Sequence, residues 1–196
     1  MVKKSFLFFQ ETAGIYLFIF CTFEEKLKMK KTLILVRHAT AEDSNFRTKD
    51  FDRNLNNKGL SEAADMGKWL VKSGFKPEIF ISSPASRAYK TAEIIATEFG
   101  VSKSSISSDP DIYEGGPKAY LHALNSVPES FSVLILFGHN PDITYFAEYL
   151  TGSTIGSMEK GSVAIIDFEN MNWTEISGKT GNLSLYKTPR QVREAE

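Results

Sequence analysis

The chain has 196 residues, of which 42% are apolar and 24% charged, enough for one domain with a substantial core. A net charge of −1 gives no reason to expect nucleic acid or an anionic membrane surface as partner, so positive potential for an anionic ligand must be local. The one cysteine, Cys21, excludes an intramolecular disulfide framework and CxxC-type zinc sites, and is compatible with a reducing cytoplasm.

Residues 1–28 stand apart. Lys3-Lys4 precede two apolar patches, Phe6–Phe9 and Ile15–Cys21, separated by Gln10 and Glu11. The longer patch falls short of the roughly 20 residues that span a bilayer, and the small residues of a signal cleavage site are missing. Met29-Lys30-Lys31 leads straight into the first strand, so 1–28 read as a leader or an extension from a misassigned start, outside the fold. The expected domain spans 29–187, followed by a polar tail, 188–196, expected to fray.

Leu33–Val36 form an uninterrupted apolar run ending in Arg37-His38, which suits a strand covered on both faces. Ligands of open α/β sheets sit at the carboxyl ends of such strands. Residues 41–57 are polar and irregular, a surface loop that either is merely solvated or faces the substrate. Apolar residues from Leu60 to Val71 recur at helical spacing, predicting a helix over 58–73 with Gly74 at its end. A strand over Glu78–Ser82 follows, then Ser83 as N-cap and Pro84 opening a helix to about Phe99, which puts Arg87 in the first turn.

Residues 101–116 read as serine-rich turns with a short strand near Ile106, and a helix is predicted from Pro117 to Asn125. Phe131–Phe137 is the second strongly apolar strand. It ends at Gly138-His139-Asn140-Pro141, where Asn140 caps and Pro141 opens a helix to about Leu150. Ser162–Phe168 and Trp173–Ser177 are expected to pair as a hairpin, with a further extended piece at Leu183–Lys187. The expected architecture is α/β: a three-layer sandwich with a mostly parallel central sheet flanked by helices, plus a C-terminal antiparallel hairpin.

Three strand ends thus deliver Arg37, His38, Arg87 and His139 toward one edge. Guanidiniums offer fixed, bidentate donors that match phosphate oxygens, and helix N-termini at Ser83–Ser86 and Asn140–Asp142 add backbone N–H groups. No metal or cofactor is needed. One imidazole can attack phosphorus while the other stabilises the transferring group, and His38, directly after a central strand, is the better held of the two. Taken singly, each has a plainer reading: a strand-end histidine can be structural, and Arg87 a solvated helix residue.

The combination is more specific. Arg37-His38-Ala39 resembles the Arg-His-Gly signature of the histidine phosphatase (phosphoglycerate-mutase-like) superfamily. The run Ser82-Ser83-Pro84-Ala85-Ser86-Arg87 through Ala92 is similar to its second-arginine motif, and Gly138-His139-Asn140-Pro141 to its second-histidine motif. The resemblance covers about Lys31–Phe168. It implies that His38 is the phosphorylated nucleophile and that Arg37, Arg87 and His139 bind the phosphoryl group. Ala39 replaces the usual glycine, and Ser44 stands where mutases carry a phosphate-binding asparagine.

The 52 positions from Arg87 to His139 leave little room for cap insertions. Together with Asp50–Leu55 and Lys58-Gly59, this resembles the short, SixA-type phosphohistidine phosphatase branch. That resemblance implies a cytoplasmic, metal-independent phosphatase. Its partner would be a phosphorylated protein, such as a histidine-containing phosphotransfer protein, or else a small phosphorylated metabolite or nucleotide. From another class, a non-catalytic phosphate-binding module would use the same pocket. Glu114 is the candidate proton donor, with Asp109 and Asp111 weaker ones and a plain loop carboxylate as the alternative. His122, among apolar neighbours, reads as filler.

Overall fold

The computed structural model describes residues 30–44, 46 and 48–195. The leader reading of 1–28 therefore lies outside the described residues. In chain order the elements are β1 (Lys30–Arg37), α1 (Asn57–Lys72), β2 (Ile79–Ser82), α2 (Ser86–Glu98), β3 (Ile106–Ser108) and α3 (Asp111–Glu114). They continue with α4 (Gly116–Asn125), β4 (Val133–Gly138), α5 (Asp142–Thr151), β5 (Val163–Glu169), β6 (Asn182–Lys187) and α6 (Pro189–Arg193).

The six strands form one sheet in the order β3-β2-β4-β1-β5-β6. β3, β2, β4 and β1 run parallel, whereas β5 pairs antiparallel with both β1 and β6. Alternation along the central strands splits their side chains between two layers. Leu33, Leu35, Leu134 and Leu136 pack with residues of α4 and α5, while Ile34, Val36, Ile135 and Phe137 pack with residues of α1 and α2. Leu33–Val36 are 0% exposed, which is why β1 shows no polar alternation. The expected three-layer, mostly parallel sandwich is what forms.

Register does the positioning. β1 and β4 pair Arg37 with Gly138. The next residues, His38 and His139, therefore leave adjacent strands side by side, and the His38 N–H donates to the Gly138 carbonyl at 3.0 Å. Gly138 allows this end to close: a Cβ there would lie 2.0 Å from the Tyr120 hydroxyl oxygen. That hydroxyl accepts the His139 backbone N–H at 2.9 Å, fixing the second histidine from below.

Several local expectations are corrected. Helix α2 begins at Ser86 rather than at Pro84, because Ala85 is non-helical and takes the N-cap position, and the Ser83 hydroxyl accepts the Ala85 N–H at 3.3 Å while also meeting the His139 ring. Helix α5 begins at Asp142. Asn140 does not cap it through backbone N–H groups: its Oδ1 accepts from the Thr144 hydroxyl at 2.7 Å and its Nδ2 donates to the Met158 carbonyl at 3.1 Å.

The partner of β5 is β6, not the segment at Trp173–Ser177. Trp173 lies in a 3-10 turn with its ring fully buried against Phe168, and its indole N–H donates to the Phe131 carbonyl at 2.9 Å. Burial of that ring in the core takes the segment out of the sheet. Nor does the polar tail fray as a whole. Thr188 caps α6, and Val192, 1% exposed, packs in the cluster that holds Met66 and Leu70 of α1. Two buried apolar residues, Pro189 and Val192, dock this short capped helix.

Candidate active site

The four residues singled out by sequence meet at the carboxyl end of β1, β2 and β4. The His38 and His139 ring centroids are 5.2 Å apart, and Arg87 Nε lies 3.3 Å from His38 Nε2. Each of the three is no more than 7% exposed, whereas Arg37 is half-buried at the end of β1, its Nη1 donating to the Met158 carbonyl at 2.5 Å.

Hydrogen bonding sets the tautomers. His38 Nδ1 lies 2.8 Å from the Ala39 carbonyl. A carbonyl only accepts, so Nδ1 carries the proton and Nε2 presents its lone pair toward Arg87. The Ala39 turn is itself held, its N–H donating to the Thr91 hydroxyl at 3.1 Å. One residue on, the buried Glu62 carboxylate accepts both the Thr40 N–H, at 2.9 Å, and the Thr40 hydroxyl, at 2.7 Å. On the other ring, His139 Nε2 is 2.8 Å from the Ser83 hydroxyl. That hydroxyl accepts the Ala85 N–H and can donate its own proton to Nε2, leaving a proton on Nδ1.

Burial controls the charge. Desolvation pushes His38 down to about 4, and Arg87, Arg37 and Lys160 push in the same direction, although the Ala39 carbonyl opposes them. His139 is pushed down to about 3, again chiefly by burial, then by His38 and Arg87. Both rings are therefore neutral at pH 7 in a pocket whose fixed charges are guanidiniums. Arg37 Nε and His139 Nδ1 are buried without a hydrogen-bond partner. Buried polar groups are ordinarily satisfied, so unpartnered atoms on two residues of this cluster suit an acceptor-rich ligand.

The polar loop 41–57, which sequence leaves between solvation and substrate contact, reaches this pocket. Asp50 stands on Arg87: its Oδ2 accepts from Nη2 at 2.8 Å and its carbonyl from Nη1 at 2.5 Å. Arg53 grips the other carboxylate oxygen at 2.7 Å, and the Tyr113 hydroxyl donates to Oδ2 at 3.1 Å. The Tyr113 ring meets His139 edge-on at 5.6 Å. Asp50 and Tyr113 thus bridge the mouth of the pocket from Arg87 to His139. Arg87 is the largest influence holding the Asp50 carboxyl below its usual range, with Arg53 and Tyr113 adding to it, while the carboxyl's own desolvation pulls the other way.

Sequence reasoning missed Ser83, Tyr113 and Tyr120 as site residues and left Asp50 undecided. The signal for Ser83 was its place beside the second-arginine motif, where a capping role explained it equally well. Glu114 is solvent-exposed at the end of α3, and its influence on the pocket is through its charge near Tyr113. Asp109 accepts the Asp111 N–H at 3.0 Å, a local turn contact. Exposed His122, which sequence reads as core or surface filler, takes the surface alternative and lines a separate cavity of about 430 Å³ with Ile79, Ile81 and Val127. Among the described residues no group of three or more His, Cys, Asp or Glu side chains could hold a metal.

Two arginines and two neutral imidazoles, with unpartnered atoms on Arg37 and His139, thus meet at one sheet edge. The model of the histidine phosphatase superfamily, branch 1, matches residues 33–116, which include Arg37, His38 and Arg87. His139 joins them in space.

Over residues 33–116 the chain is similar to the histidine phosphatase superfamily.

Its similarities lie across that superfamily. An uncharacterized chloroplastic protein of Arabidopsis thaliana is 25% identical over 162 residues, 78% of this chain and 73% of that one. Among solved structures, the protein named SixA from Agrobacterium tumefaciens superposes with a TM-score of 0.69 at 24% identity, over 81% of this chain and 98% of the other. The protein histidine phosphatase SixA in complex with tungstate gives a TM-score of 0.71 at 20% identity, over 82% and 99%. At those identities the likeness is one of fold. No helix among the described residues is long and apolar enough to cross a membrane.

Proposed function

We propose that this chain is a phosphatase that hydrolyses phosphohistidine on a protein, through a phosphoenzyme formed at His38 and without a metal. The observation that carries the reading is the lone pair of His38 Nε2, aimed into the pocket by the Nδ1 contact to the Ala39 carbonyl at 2.8 Å. Arg37, Arg87 and His139 Nδ1 would take the three equatorial oxygens, with Arg87 turning from Asp50 and His38 to the phosphoryl group. Attack by Nε2 then places the leaving nitrogen opposite His38, at the mouth. Rigid placement and charge stabilisation are the main catalytic contributions to phosphoryl transfer.

The openness of the mouth supports a protein-borne substrate. Between α2 and β4 the chain contributes a 3-10 turn at Lys103–Ser105, β3, α3 and α4, and from α3 the Tyr113 ring lies edge-on to His139. Phe51, 36% exposed, packs edge-on against Tyr113 at 5.1 Å and offers an apolar rim to a docking partner. A histidine-containing phosphotransfer domain fits such a rim, and the absence of disulfide chemistry suits the cytoplasm in which such domains work. The expected domain, residues 29–187, would carry the whole site, with α6 as a brace.

A substrate panel tests the choice. Rates of phosphate release from a phosphohistidine peptide, a phosphohistidine-bearing phosphotransfer domain, sugar phosphates and nucleotides are compared as kcat/KM. Highest kcat/KM on the phosphotransfer domain is expected. Faster turnover of a small ester or nucleotide would replace the protein substrate with a metabolite. Phosphate binding without turnover of any substrate would make the chain a binding module.

A further inference from the structure

Asp50 has no role in the scheme so far, yet it holds the arginine that the phosphoryl group would take. Its Oδ2 holds Arg87 Nη2 at 2.8 Å and receives the Tyr113 hydroxyl at 3.1 Å, while Oδ1 is held by Arg53 at 2.7 Å. Arg87 is almost fully buried, but the Asp50 carboxylate is half in solvent, 52% exposed, on a loop. Tyr113 also lies edge-on to His139 at 5.6 Å, so the Asp50–Tyr113 pair sets a carboxyl and a hydroxyl beside both Arg87 and His139, next to the groups that would hold the phosphoryl oxygens.

We propose that Asp50 is the proton donor to the leaving group, with the Tyr113 hydroxyl holding its Oδ2 in place. This rests on the phosphoenzyme reading above. As phosphoryl oxygens take Arg87, Oδ2 loses its nearest cation and faces a dianion instead. Both changes favour uptake of a proton at Oδ2. The groups facing the carboxyl are Arg87 from α2, Tyr113 and Glu114 from α3, and Arg53 within its own loop; Arg53 remains on Oδ1 and steadies it.

The balance closes over two steps. In the first, the bond from His38 Nε2 to phosphorus forms, the bond from phosphorus to the leaving nitrogen or oxygen breaks, and the Asp50 proton passes to that atom. In the second, the Asp50 carboxylate takes a proton from water as the water oxygen attacks phosphorus. The phosphorus–nitrogen bond breaks, returning neutral His38, protonated Asp50 and hydrogen phosphate.

The test is kcat/KM for Asp50→Asn and wild type across phosphate esters whose leaving groups range from 4-nitrophenol through phenol to an aliphatic alcohol. A proton donor gives a loss that grows as the leaving group becomes more basic, from about 10-fold at 4-nitrophenol to about 10³-fold at the alcohol. Tyr113→Phe shows a shallower loss with the same trend, and Asp50→Glu restores part of the slope. The alkaline limb of the kcat profile, which reports deprotonation of the donor in the enzyme–substrate complex, disappears in Asp50→Asn. An equal loss for all leaving groups, or none, overturns the assignment, because a residue that merely orders Arg87 cannot sense the leaving group. His38→Ala, inactive on every ester, would still stand in that case, so the two readings fail separately.

Discussion

Gly138→Ala tests the way β4 aims His139. The added Cβ would sit 2.0 Å from the Tyr120 hydroxyl oxygen and 2.7 Å from two of its ring carbons. Tyr120 is 0% exposed and packs against Phe146 with ring centroids 5.6 Å apart, so it has nowhere to go. Overpacking of this kind costs about 1–3 kcal/mol, and the displaced hydroxyl leaves the His139 N–H buried and unpaired, a further ~1–3 kcal/mol. Tyr120→Phe alone should lose only the second contribution. Combining the two moves the nearest obstacle from the oxygen at 2.0 Å to ring carbon at 2.7 Å and loses the hydrogen bond once rather than twice. Urea unfolding should therefore find the double variant at least about 1 kcal/mol less destabilised than the sum of the singles. In a domain of this size each kcal/mol moves Tm by about 2–4 °C. Both single variants should also lower kcat, since His139 shifts with its backbone. Additivity within about 0.5 kcal/mol would refute the claim that Gly138 and Tyr120 position His139 as one unit.

Three further outcomes follow from the same structure. Arg87→Lys keeps the charge but loses the planar fork that spans His38 and Asp50, and kcat/KM should fall about 10²-fold or more with little change in unfolding midpoint. Both histidines are held below their ordinary 6.5, at about 4 and about 3, so the unfolded chain binds their protons first as pH falls. Their stabilisation is complete above pH 6.5 and is lost, by a few kcal/mol for the pair, as pH drops toward 4. Urea midpoints of wild type and His139→Gln between pH 7.5 and 4.5 should show the shallower slope in the variant, and parallel slopes would count against buried neutral rings. Truncation after Lys187 removes α6 and the 1% exposed Val192, so stability should fall by about 2–3 kcal/mol; an unchanged urea midpoint would mean that α6 does not brace α1.

Much of the site was legible because it is built from strand ends. The apolar runs Leu33–Val36 and Val133–Phe137 can only be central strands, so the residues that follow them had to emerge at one edge. Arg87 was found from its place in the first turn of a helix, even though the helix starts two residues later than Ser83-Pro84 suggest. What sequence could not separate were side chains with two good local explanations. Ser83 looks like a cap, yet its hydroxyl serves the His139 ring. Asp50 looks like one more charge in a solvated loop, and only its approach to Arg87 across 37 residues gives it meaning. Trp173 carries strand propensity, but its ring is worth more buried in the core than on a pleated surface, so β6 replaces its segment as the partner of β5. Tyr120 sits on a helix with apolar neighbours, and nothing in that pattern shows that its hydroxyl meets a backbone N–H from β4.

The central claim is that His38 Nε2 takes the phosphoryl group, with its Nδ1 proton given to the Ala39 carbonyl. Rapid quenching of the enzyme with a ³²P-labelled phosphodonor, followed by alkaline digestion and peptide mapping, tests it directly. The expected result is an acid-labile, base-stable label on His38 at Nε2, formed and lost at rates compatible with turnover and absent in His38→Ala. Label on another residue, or full turnover in His38→Ala, would contradict the account.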